Sequence, residues 1–284
     1  MPKVSIVLPV YNGAKFLRGS IQSCLSQMHG DLELIIVDDC STDATSDIVR
    51  SFEDKRIVYV RNETNQRLPR SLNIGFKRAT GEYLTWTSDD NEYEPQAIAR
   101  MLECLTRGAG AELVYADYWA LDEGTGKKSL TCLPDTLDLR QKNQVGGCFL
   151  YTRRAYEAVG DYNPFLEMVE DYDYWIRVWK KFKTVHCAEP LYLYRYHAQS
   201  LTITRAQQQD LFDVILKVRN GYLPFSKLGW TGAYFFHNVM RSDKSAEEKQ
   251  KIISHTWRTV RGISPVFYAC FSVLVFLYSF RIKK

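Results

Sequence analysis

The chain has 284 residues, enough to bury a full hydrophobic core as one large domain or as a domain with an appendage. A hydrophobic fraction of 45% and a charged fraction of 25% exclude an intrinsically disordered chain. The formal net charge is only +4 and the basic residues form no stripe, so we expect no nucleic-acid partner.

The cysteines argue against a disulfide framework and against a zinc site. There are 7 of them, an odd number, and no two form a C-x-x-C motif. We therefore expect reduced thiols in a cytosolic setting. The residues before Val4 carry no charged-then-apolar signal, so nothing in them directs the domain to secretion.

Apolar runs alternate with helical segments four times near the start of the chain. The runs Val4–Val10, Leu32–Val37, Ile57–Val60 and Tyr83–Thr87 predict strands, and the first is apolar enough to be covered on both faces. A helical segment follows each run. The first covers 16–28, the second runs through about Phe52 with Ser41, Thr42 and Asp43 as cap candidates, and the third is Leu68–Arg78. Pro95 opens the fourth, in which Ile98, Met101, Leu102 and Leu105 share one face. This order predicts an α/β fold with a mostly parallel, Rossmann-like sheet flanked by helices.

The middle of the chain alternates less regularly. Leu113–Leu121 and Cys148–Thr152 are predicted strands, and the polar segment Asp122–Lys128 is a predicted hairpin tip. Asp171–Phe182 spaces its large apolar residues as a helix does, and Leu191–Tyr196 reads as a strand.

The last part of the chain is helical and rich in aromatic residues. We expect an α/β domain over residues 1–205 and a helical C-terminal region over 206–284. Gly262–Phe280 contains no charged residue and as a helix would span about 28 Å, close to the thickness of a bilayer core. Basic residues flank both of its ends, which favours a segment that contacts or spans a membrane. The alternative is a buried terminal helix, which its serines and Pro265 favour.

Two pairs of aspartates follow two of the predicted strands. Asp38 and Asp39 come after the second strand, and Asp89 and Asp90 come after the fourth. The carboxyl ends of parallel strands line the ligand crevice of an open sheet. Carboxylate oxygens are the ligands that Mg²⁺ and Mn²⁺ prefer, and these cations bridge phosphate oxygens. The two pairs therefore predict a divalent cation site that holds a substrate diphosphate.

Four motifs in order resemble the family 2 glycosyltransferases. They are VSIVLPVYN at the start, VDDCSTDAT after the second strand, GEYLTWTSDDN after the third helix, and EDYDYWIR. Members of that family are inverting enzymes with the GT-A fold that transfer a sugar from a nucleotide-diphosphate donor. The resemblance covers residues 3 to about 200.

The resemblance implies a set of nucleotide-sugar-binding residues. Pro9, Tyr11 and Asn12 would hold the nucleobase and ribose, and Asp39 would accept a hydrogen bond from the base. Arg67 falls where some relatives place a basic residue near the nucleotide. For each residue taken alone a structural role is also open: a packing tyrosine, a turn asparagine, or a solvated arginine at a helix start.

The resemblance also implies the cation ligands. Asp90 would bind Mn²⁺ or Mg²⁺ directly, and Asp89 would contact the ribose or a water of the metal shell. The alternative for this pair is an acidic cap on the helix near Pro95, which lies too far along to use both carboxylates. His197 would complete the metal shell or contact a phosphate, or have a structural or solvated role. Asp38 would orient the loop.

Asp171 matches the catalytic base of the family. Inversion by direct displacement needs one carboxylate to take the proton of the acceptor hydroxyl as that oxygen attacks the anomeric carbon. Asp171, Trp175 and Val178 share one helical face, so we expect this carboxylate to point with the apolar residues. The alternative is an ordinary first-turn acid.

We therefore expect an inverting, cation-dependent glycosyltransferase. The resemblance favours a UDP-sugar donor, with GDP- and dTDP-sugars open, and a hydroxyl acceptor on a glycan or lipid-linked glycan of cell-surface polysaccharide. The catalytic domain would be cytoplasmic, attached to the cytoplasmic membrane face through the terminal segment. One alternative is a polyprenyl-phosphate sugar synthase, and another is a non-catalytic assembly protein. A sugar-nucleotide nucleotidyltransferase would need a Gly-rich basic loop where the chain has Tyr11-Asn12-Gly13-Ala14.

Overall fold

A computed structural model describes residues 1–204, 206–223, 235, 239 and 245–263. The chain forms two compact units. The first comprises Met1–Tyr162 and Tyr174–Ala198, and the second comprises Asn163–Asp173 and the chain from Gln199 onward.

The first unit contains a parallel set of four strands. These are β1 (Val4–Val10), β2 (Leu32–Asp38), β3 (Ile57–Arg61) and β4 (Tyr83–Trp86), in the spatial order β3-β2-β1-β4. All residues of β1 and β2 are buried, which explains why their sequences are almost continuously apolar. The four predicted strands are confirmed, each end lying within a residue of its predicted position.

The remaining strands extend the same sheet and make it mixed. They are β5 (Glu92–Tyr93), β6 (Ala111–Asp122), β7 (Lys128–Thr131), β8 (Phe149–Thr152) and β9 (Lys183–Tyr196). Beyond β4 the order is β8-β6-β9-β5, and β7 pairs with β6. Strand β8 is antiparallel to both of its neighbours, whereas β6 and β9 are parallel. The predicted hairpin is confirmed, because β6 and β7 form an antiparallel ladder.

Helices cover both faces of the sheet in the first unit. They are α1 (Leu17–Leu25), α2 (Thr45–Arg50), α3 (Leu68–Phe76), α4 (Ala97–Arg107) and α5 (Arg153–Val159). In α4 the predicted apolar face is buried. Alternate residues of β1 join α1 and α4 in one buried cluster. Val7 points to the other face, where Gly75 of α3 has no room for a Cβ atom.

Helix α2 starts later than its sequence suggested. Its first residue is Thr45, whose N–H donates to Asp43 Oδ1 at 3.0 Å. The residues before it are held by contacts with the loop after β1, so they are not free to continue the helix.

The helical part of the chain matches its prediction where it is described. Helix α6 (Glu170–Trp179) ends three residues before the predicted Phe182, and α7 (Leu201–Thr204), α8 (Ala206–Arg219) and α9 (Ala246–Ile263) follow. Of Gly262–Phe280, only the first two residues are described. Within the described ranges, the protein has no helix with the length and apolar character that a membrane crossing requires.

Candidate functional site

Three loops at one edge of the sheet in the first unit hold residues in a strained conformation. Asn12 follows β1, Cys40 follows β2, and Arg67 lies between β3 and α3, with φ values of 55°, 68° and 72°. Positive φ is uncommon for residues other than glycine and costs on the order of 1 kcal/mol or more. Such strain persists only where tertiary contacts impose it, and it concentrates at functional sites.

The side chain of Asn12 joins the loop after β1 to the loop after β2. Its backbone N–H donates to Ser41 Oγ at 2.9 Å, and its Oδ1 accepts the N–H of Thr42 at 2.8 Å. The next N–H, that of Gly13, donates to Thr45 Oγ1 at 3.1 Å. Asn12 therefore has a clear structural task in addition to the nucleotide contact predicted for it.

Tyr11 and Pro9 differ in exposure. Tyr11 is 52% exposed, which leaves its ring open to stack on a flat ligand. Pro9 is buried within β1, opposite Val37 of β2. A proline there donates no hydrogen bond to the sheet, and only its backbone carbonyl remains for polar contacts.

Asp38 is fully buried and organises the second loop. Its Oδ1 accepts the N–H of Ser41 at 2.8 Å. Its Oδ2 accepts the Tyr59 hydroxyl at 2.7 Å and the Arg61 guanidinium at 3.2 Å. The carboxylate thus ties the end of β2 to β3, in agreement with the loop-orienting role predicted for it.

Asp39 holds the loop that contains Arg67. Its Oδ1 accepts the side-chain amide of Asn62 and the N–H of Gln66, both at 2.7 Å. Its Oδ2 accepts the N–H of Arg67 at 2.8 Å. A carboxylate has about four acceptor positions, and the donors found among the described residues fill three of them. The structure brings the Asp39 carboxylate and the backbone of Arg67 together.

Asp89 lies against the turn after β1. A Cβ atom built on Gly13 would come within 1.9 Å of Asp89 Oδ2, so this carboxylate occupies the space that the glycine leaves open. Burial of the side chain, with a further contribution from the adjacent Asp90, raises the pKa of Asp89 to about 7. Asp89, which is predicted to contact the ribose, therefore lies next to the turn after β1, which is predicted to bind the base.

Asp90 and His197 form a pair, although 107 residues separate them along the chain. His197 Nε2 lies 3.0 Å from Asp90 Oδ2. The other oxygen, Oδ1, is buried and has no hydrogen-bond partner in the described part of the protein. Burial raises the pKa of Asp90, and the contact with His197 opposes that rise. A buried carboxylate oxygen without a partner is costly, and a cation would supply the missing partner.

Asp90 and His197 fit a divalent cation whose remaining coordination positions are filled by a bound substrate and water. In the ranges that the structure describes, no three His, Cys, Asp or Glu side chains gather to form a metal site by themselves. Mg²⁺ and Mn²⁺ in nucleotide sites take one or two protein ligands and complete their shell with phosphate oxygens and water. The donor set of one carboxylate and one imidazole suits that arrangement.

Sequence reasoning missed Arg195 at this site. Its Nε donates to the backbone carbonyl of Asp90 at 2.9 Å, and its guanidinium lies over the ring of Phe16. Residues two apart on a strand point to the same face, so Arg195 of β9 and His197 just beyond it share a side. The spacing in Tyr-Arg-Tyr-His indicated that Arg195 and His197 lie on the same side, but it did not indicate that Arg195 contacts the carbonyl of Asp90.

The first turn of α6 carries a third acidic pair, in the second unit. Trp175 and Val178 are fully buried as predicted, but Asp171 is only half-buried, and the residue before it, Glu170, takes the buried position. Glu170 Oε2 has no hydrogen-bond partner among the described residues. Burial, and then the neighbouring Asp171, raise the pKa of Glu170 to about 8.

Comparisons with known proteins identify the family. The model of Glycosyl transferase family 2 matches residues 5–160. An uncharacterized glycosyltransferase of Rickettsia prowazekii, RP339, is 32% identical over 233 residues, which are 76% of this chain and 72% of that protein. The chain therefore belongs to glycosyl transferase family 2, as its motifs predicted.

A relative from a second organism carries a more specific name. TuaG of Bacillus subtilis, named for teichuronic acid biosynthesis as a glycosyltransferase, is 29% identical over 184 residues. The match covers 63% of this chain and 73% of TuaG.

Solved glycosyltransferases share the fold. Staphylococcus aureus TarS 1–349 in complex with UDP-GlcNAc gives a TM-score of 0.62 at 15% identity, over 93% of this chain and 74% of that one. The mannosyltransferase PcManGT from Pyrobaculum calidifontis, in complex with GDP-Man and Mn²⁺, also gives 0.62 at 15% identity, over 99% and 85%. At this identity the likeness concerns the fold alone, and it confirms the predicted GT-A-like architecture.

Proposed function

We propose that this chain is an inverting glycosyltransferase that moves a sugar from a nucleotide-diphosphate donor to a hydroxyl of a glycan acceptor. The observation that carries the proposal is the buried Oδ1 of Asp90 beside His197, for which the described residues supply no hydrogen-bond partner. It lies in the first unit with Asp89, which packs on the turn after β1.

The donor would bind along the loops after β1 and β2. Tyr11 would stack on the base, the free acceptor position of Asp39 would take a base N–H, and Asp89 would receive the ribose. Arg67 would add positive charge near the diphosphate. TarS with UDP-GlcNAc and PcManGT with GDP-Man support a nucleotide sugar as the donor class. The motifs favour UDP as the nucleotide.

Asp90 and His197 would hold Mn²⁺ or Mg²⁺, and the Mn²⁺ of PcManGT supports a cation at a fold of this type. When bound, the cation neutralises the negative charge that develops on the leaving diphosphate. Oδ1 of Asp90 is the atom best suited to bind it, because Oδ2 already contacts His197. The buried position excludes competing water from that oxygen.

Asp171 would act as the general base, a role that its motif supports. The acceptor oxygen forms a bond to the anomeric carbon while the bond from that carbon to the diphosphate oxygen breaks. The hydroxyl proton passes to Asp171, and the nucleoside diphosphate leaves with the electron pair. The position of Asp171 in the first turn of α6 favours its ionised form, because the amino end of a helix is positive.

The acceptor would be a growing surface polysaccharide, free or linked to a lipid, and the catalytic domain would work at the cytoplasmic face of the membrane. The similarity to TuaG supports a role in cell-surface polysaccharide synthesis.

A donor panel tests the proposal. Purified protein would be incubated with UDP-, GDP- and dTDP-sugars and Mn²⁺, and the released nucleotide measured. We expect release from one donor class, lost with a chelator and in Asp90→Ala. The matched control is Asp31→Ala, which should keep full activity. Asp31 is exposed and precedes the amino end of β2, whereas Asp38 and Asp39 lie at the carboxyl end of that strand. No binding of any donor in the presence of Mn²⁺ would refute the proposal.

A second variant separates the hydroxyl acceptor from a lipid phosphate. A phosphate oxygen is already ionised and needs no base, so a polyprenyl-phosphate sugar synthase would tolerate Asp171→Asn. We expect this variant to bind donor with Mn²⁺ as the wild type does, and to lose transfer. Full transfer by Asp171→Asn would favour the polyprenyl-phosphate reaction instead.

A further inference from the structure

The short turn that carries Asp90 is fixed from outside. Arg195 Nε donates to the backbone carbonyl of Asp90 at 2.9 Å, and the backbone N–H of Arg195 donates to Asn91 Oδ1 at 2.8 Å. Two residues further on, His197 meets the Asp90 carboxylate at 3.0 Å. The end of β9 thus contacts the backbone, the side chain and the following residue of the turn.

The Arg195 guanidinium is itself held on every side. One terminal nitrogen donates to Glu92 at 2.7 Å and the other to Glu123. Its central carbon, Cζ, lies 4.9 Å from the centre of the Phe16 ring. Its side chain is only 11% exposed. A guanidinium has donors in a rigid planar fork, so two carboxylates and one ring fix the direction in which Nε points.

Phe16 links the arginine to the histidine of the cation pair. Its ring lies 5.0 Å from that of His197 and 4.9 Å from the Arg195 guanidinium. A shift of Arg195 would therefore displace the Asp90 backbone and also the Phe16 ring against which His197 packs. Metal ligands must be held within about 0.5 Å to keep their affinity.

We propose that Arg195 is a positioning residue for the cation site: it sets the place of Asp90 relative to His197 and touches neither cation nor donor. This inference rests on the proposed function, because it assumes that Asp90 and His197 bind the cation. Residues that support metal ligands in this way typically change metal affinity by about 10–100-fold when substituted.

The chain offers a matched control for a purely structural role. Arg100 in α4 also joins two glutamates, Glu103 and Glu189, within the same unit. Arg100→Lys removes a guanidinium fork between two carboxylates, as Arg195→Lys does, and it leaves the Asp90 turn with all of its contacts. Lysine keeps the charge at both positions, so the two variants differ mainly in where the fork is lost.

The experiment measures Mn²⁺ binding without turnover. Free Mn²⁺ would be followed by electron paramagnetic resonance with UDP, GDP or dTDP present, for the wild type and both variants, beside their thermal unfolding. We expect Arg195→Lys to raise the Kd for Mn²⁺ by about 10–100-fold and Arg100→Lys to leave it within about two-fold. Saturating Mn²⁺ should restore most of the kcat of Arg195→Lys.

The outcomes separate the two proposals. If the wild type binds no Mn²⁺ with any of the three nucleotides, the proposed function fails. If the wild type binds Mn²⁺ and Arg195→Lys binds it equally well, only the role of Arg195 is refuted.

Asn91→Ala provides an independent variant if Arg195→Lys does not fold. It removes the Asn91 contact with the Arg195 backbone and leaves the guanidinium contacts intact. We expect a several-fold loss of Mn²⁺ affinity, and wild-type affinity in this variant would overturn the inference.

Discussion

The two aspartate pairs occupy equivalent places in the fold and have opposite surroundings. Asp38 ends β2 and Asp39 follows it, and each accepts several hydrogen bonds from β3 or from the neighbouring loops. Asp89 and Asp90 follow β4. There the Asp89 carboxylate fills the space over a glycine, and Asp90 has a buried oxygen without a partner in the part of the chain that the structure describes.

The difference shows that the neighbours decide what a strand-end carboxylate does. A carboxylate whose lone pairs are taken by N–H and O–H donors stabilises a loop. A buried carboxylate with too few N–H and O–H donors around it attracts a cation, because its negative charge is incompletely compensated. Asp38 is therefore expected to matter mainly for stability and Asp90 mainly for catalysis.

The largest expected effect is the loss of turnover in Asp90→Ala. Removing a group that stabilises transition-state charge costs about 10²–10³-fold in kcat. The thermal midpoint in the presence of a chelator should change little, because the loss of the His197 contact is offset by removal of a buried oxygen that has no partner among the described residues. Steady-state kinetics and thermal unfolding check both parts. A strongly destabilised variant would show that Asp90 is a structural residue after all.

Next in size is the stability loss in Asp38→Ala. The substitution leaves the Ser41 N–H, the Tyr59 hydroxyl and the Arg61 guanidinium without their common acceptor. We expect the free energy of unfolding to fall by about 3 kcal/mol, measured by urea denaturation. A drop in activity with unchanged stability would put Asp38 in the same category as Asp90.

A smaller effect is expected from Gly13→Ala. The new Cβ would lie 1.9 Å from Asp89 Oδ2, so the carboxylate must move. Because small displacements at a reacting site cost up to about 10²-fold, we expect the donor KM to rise by about 10-fold. Gly30→Ala is the control, since a Cβ there meets nothing within 4 Å. Equal donor KM values in the two variants would argue that Asp89 does not contact the donor.

The smallest expected effect is a change with pH in the free energy of unfolding, caused by Glu170 in the acidic pair of α6. Burial raises the pKa of Glu170 from 4.5 to about 8, so the folded protein holds this proton in a pH range where the unfolded chain has lost it. The free energy of unfolding should therefore fall as pH rises from about 4.5 to 8. Glu170→Gln should remove at least about 1 kcal/mol of that fall. Exposed Glu157→Gln is the control, and identical pH slopes in both variants would contradict the prediction.

Much of the fold was predictable because its signals are local. The apolar runs of β1 and β2 mark strands covered on both faces, and the buried face of α4 follows from its spacing. The motifs also predicted the family. The roles of Asp39, Asp90 and Asp171 in binding and catalysis stay predictions.

The details that escaped prediction depend on residues far apart in the chain. Nothing near Arg195 indicates that its partner is the carbonyl of Asp90, and nothing near Asp39 reveals that it holds Gln66 and Arg67. The left-handed backbone of Cys40 is imposed by tertiary contacts, so no local propensity predicts it. Likewise, helical spacing alone did not show that Glu170 rather than Asp171 is the buried acid.

The long separation between Asp90 and His197 has a consequence for biosynthesis. A nascent chain of about a hundred residues already contains β1 to β4 and the partners of the Asp39 carboxylate found among the described residues, so that part can assemble while translation continues. Asp90 must wait for a residue 107 positions later to leave the ribosome. Because pairing over such distances is slow, the loops around Asp39 should form first and the contact between Asp90 and His197 last.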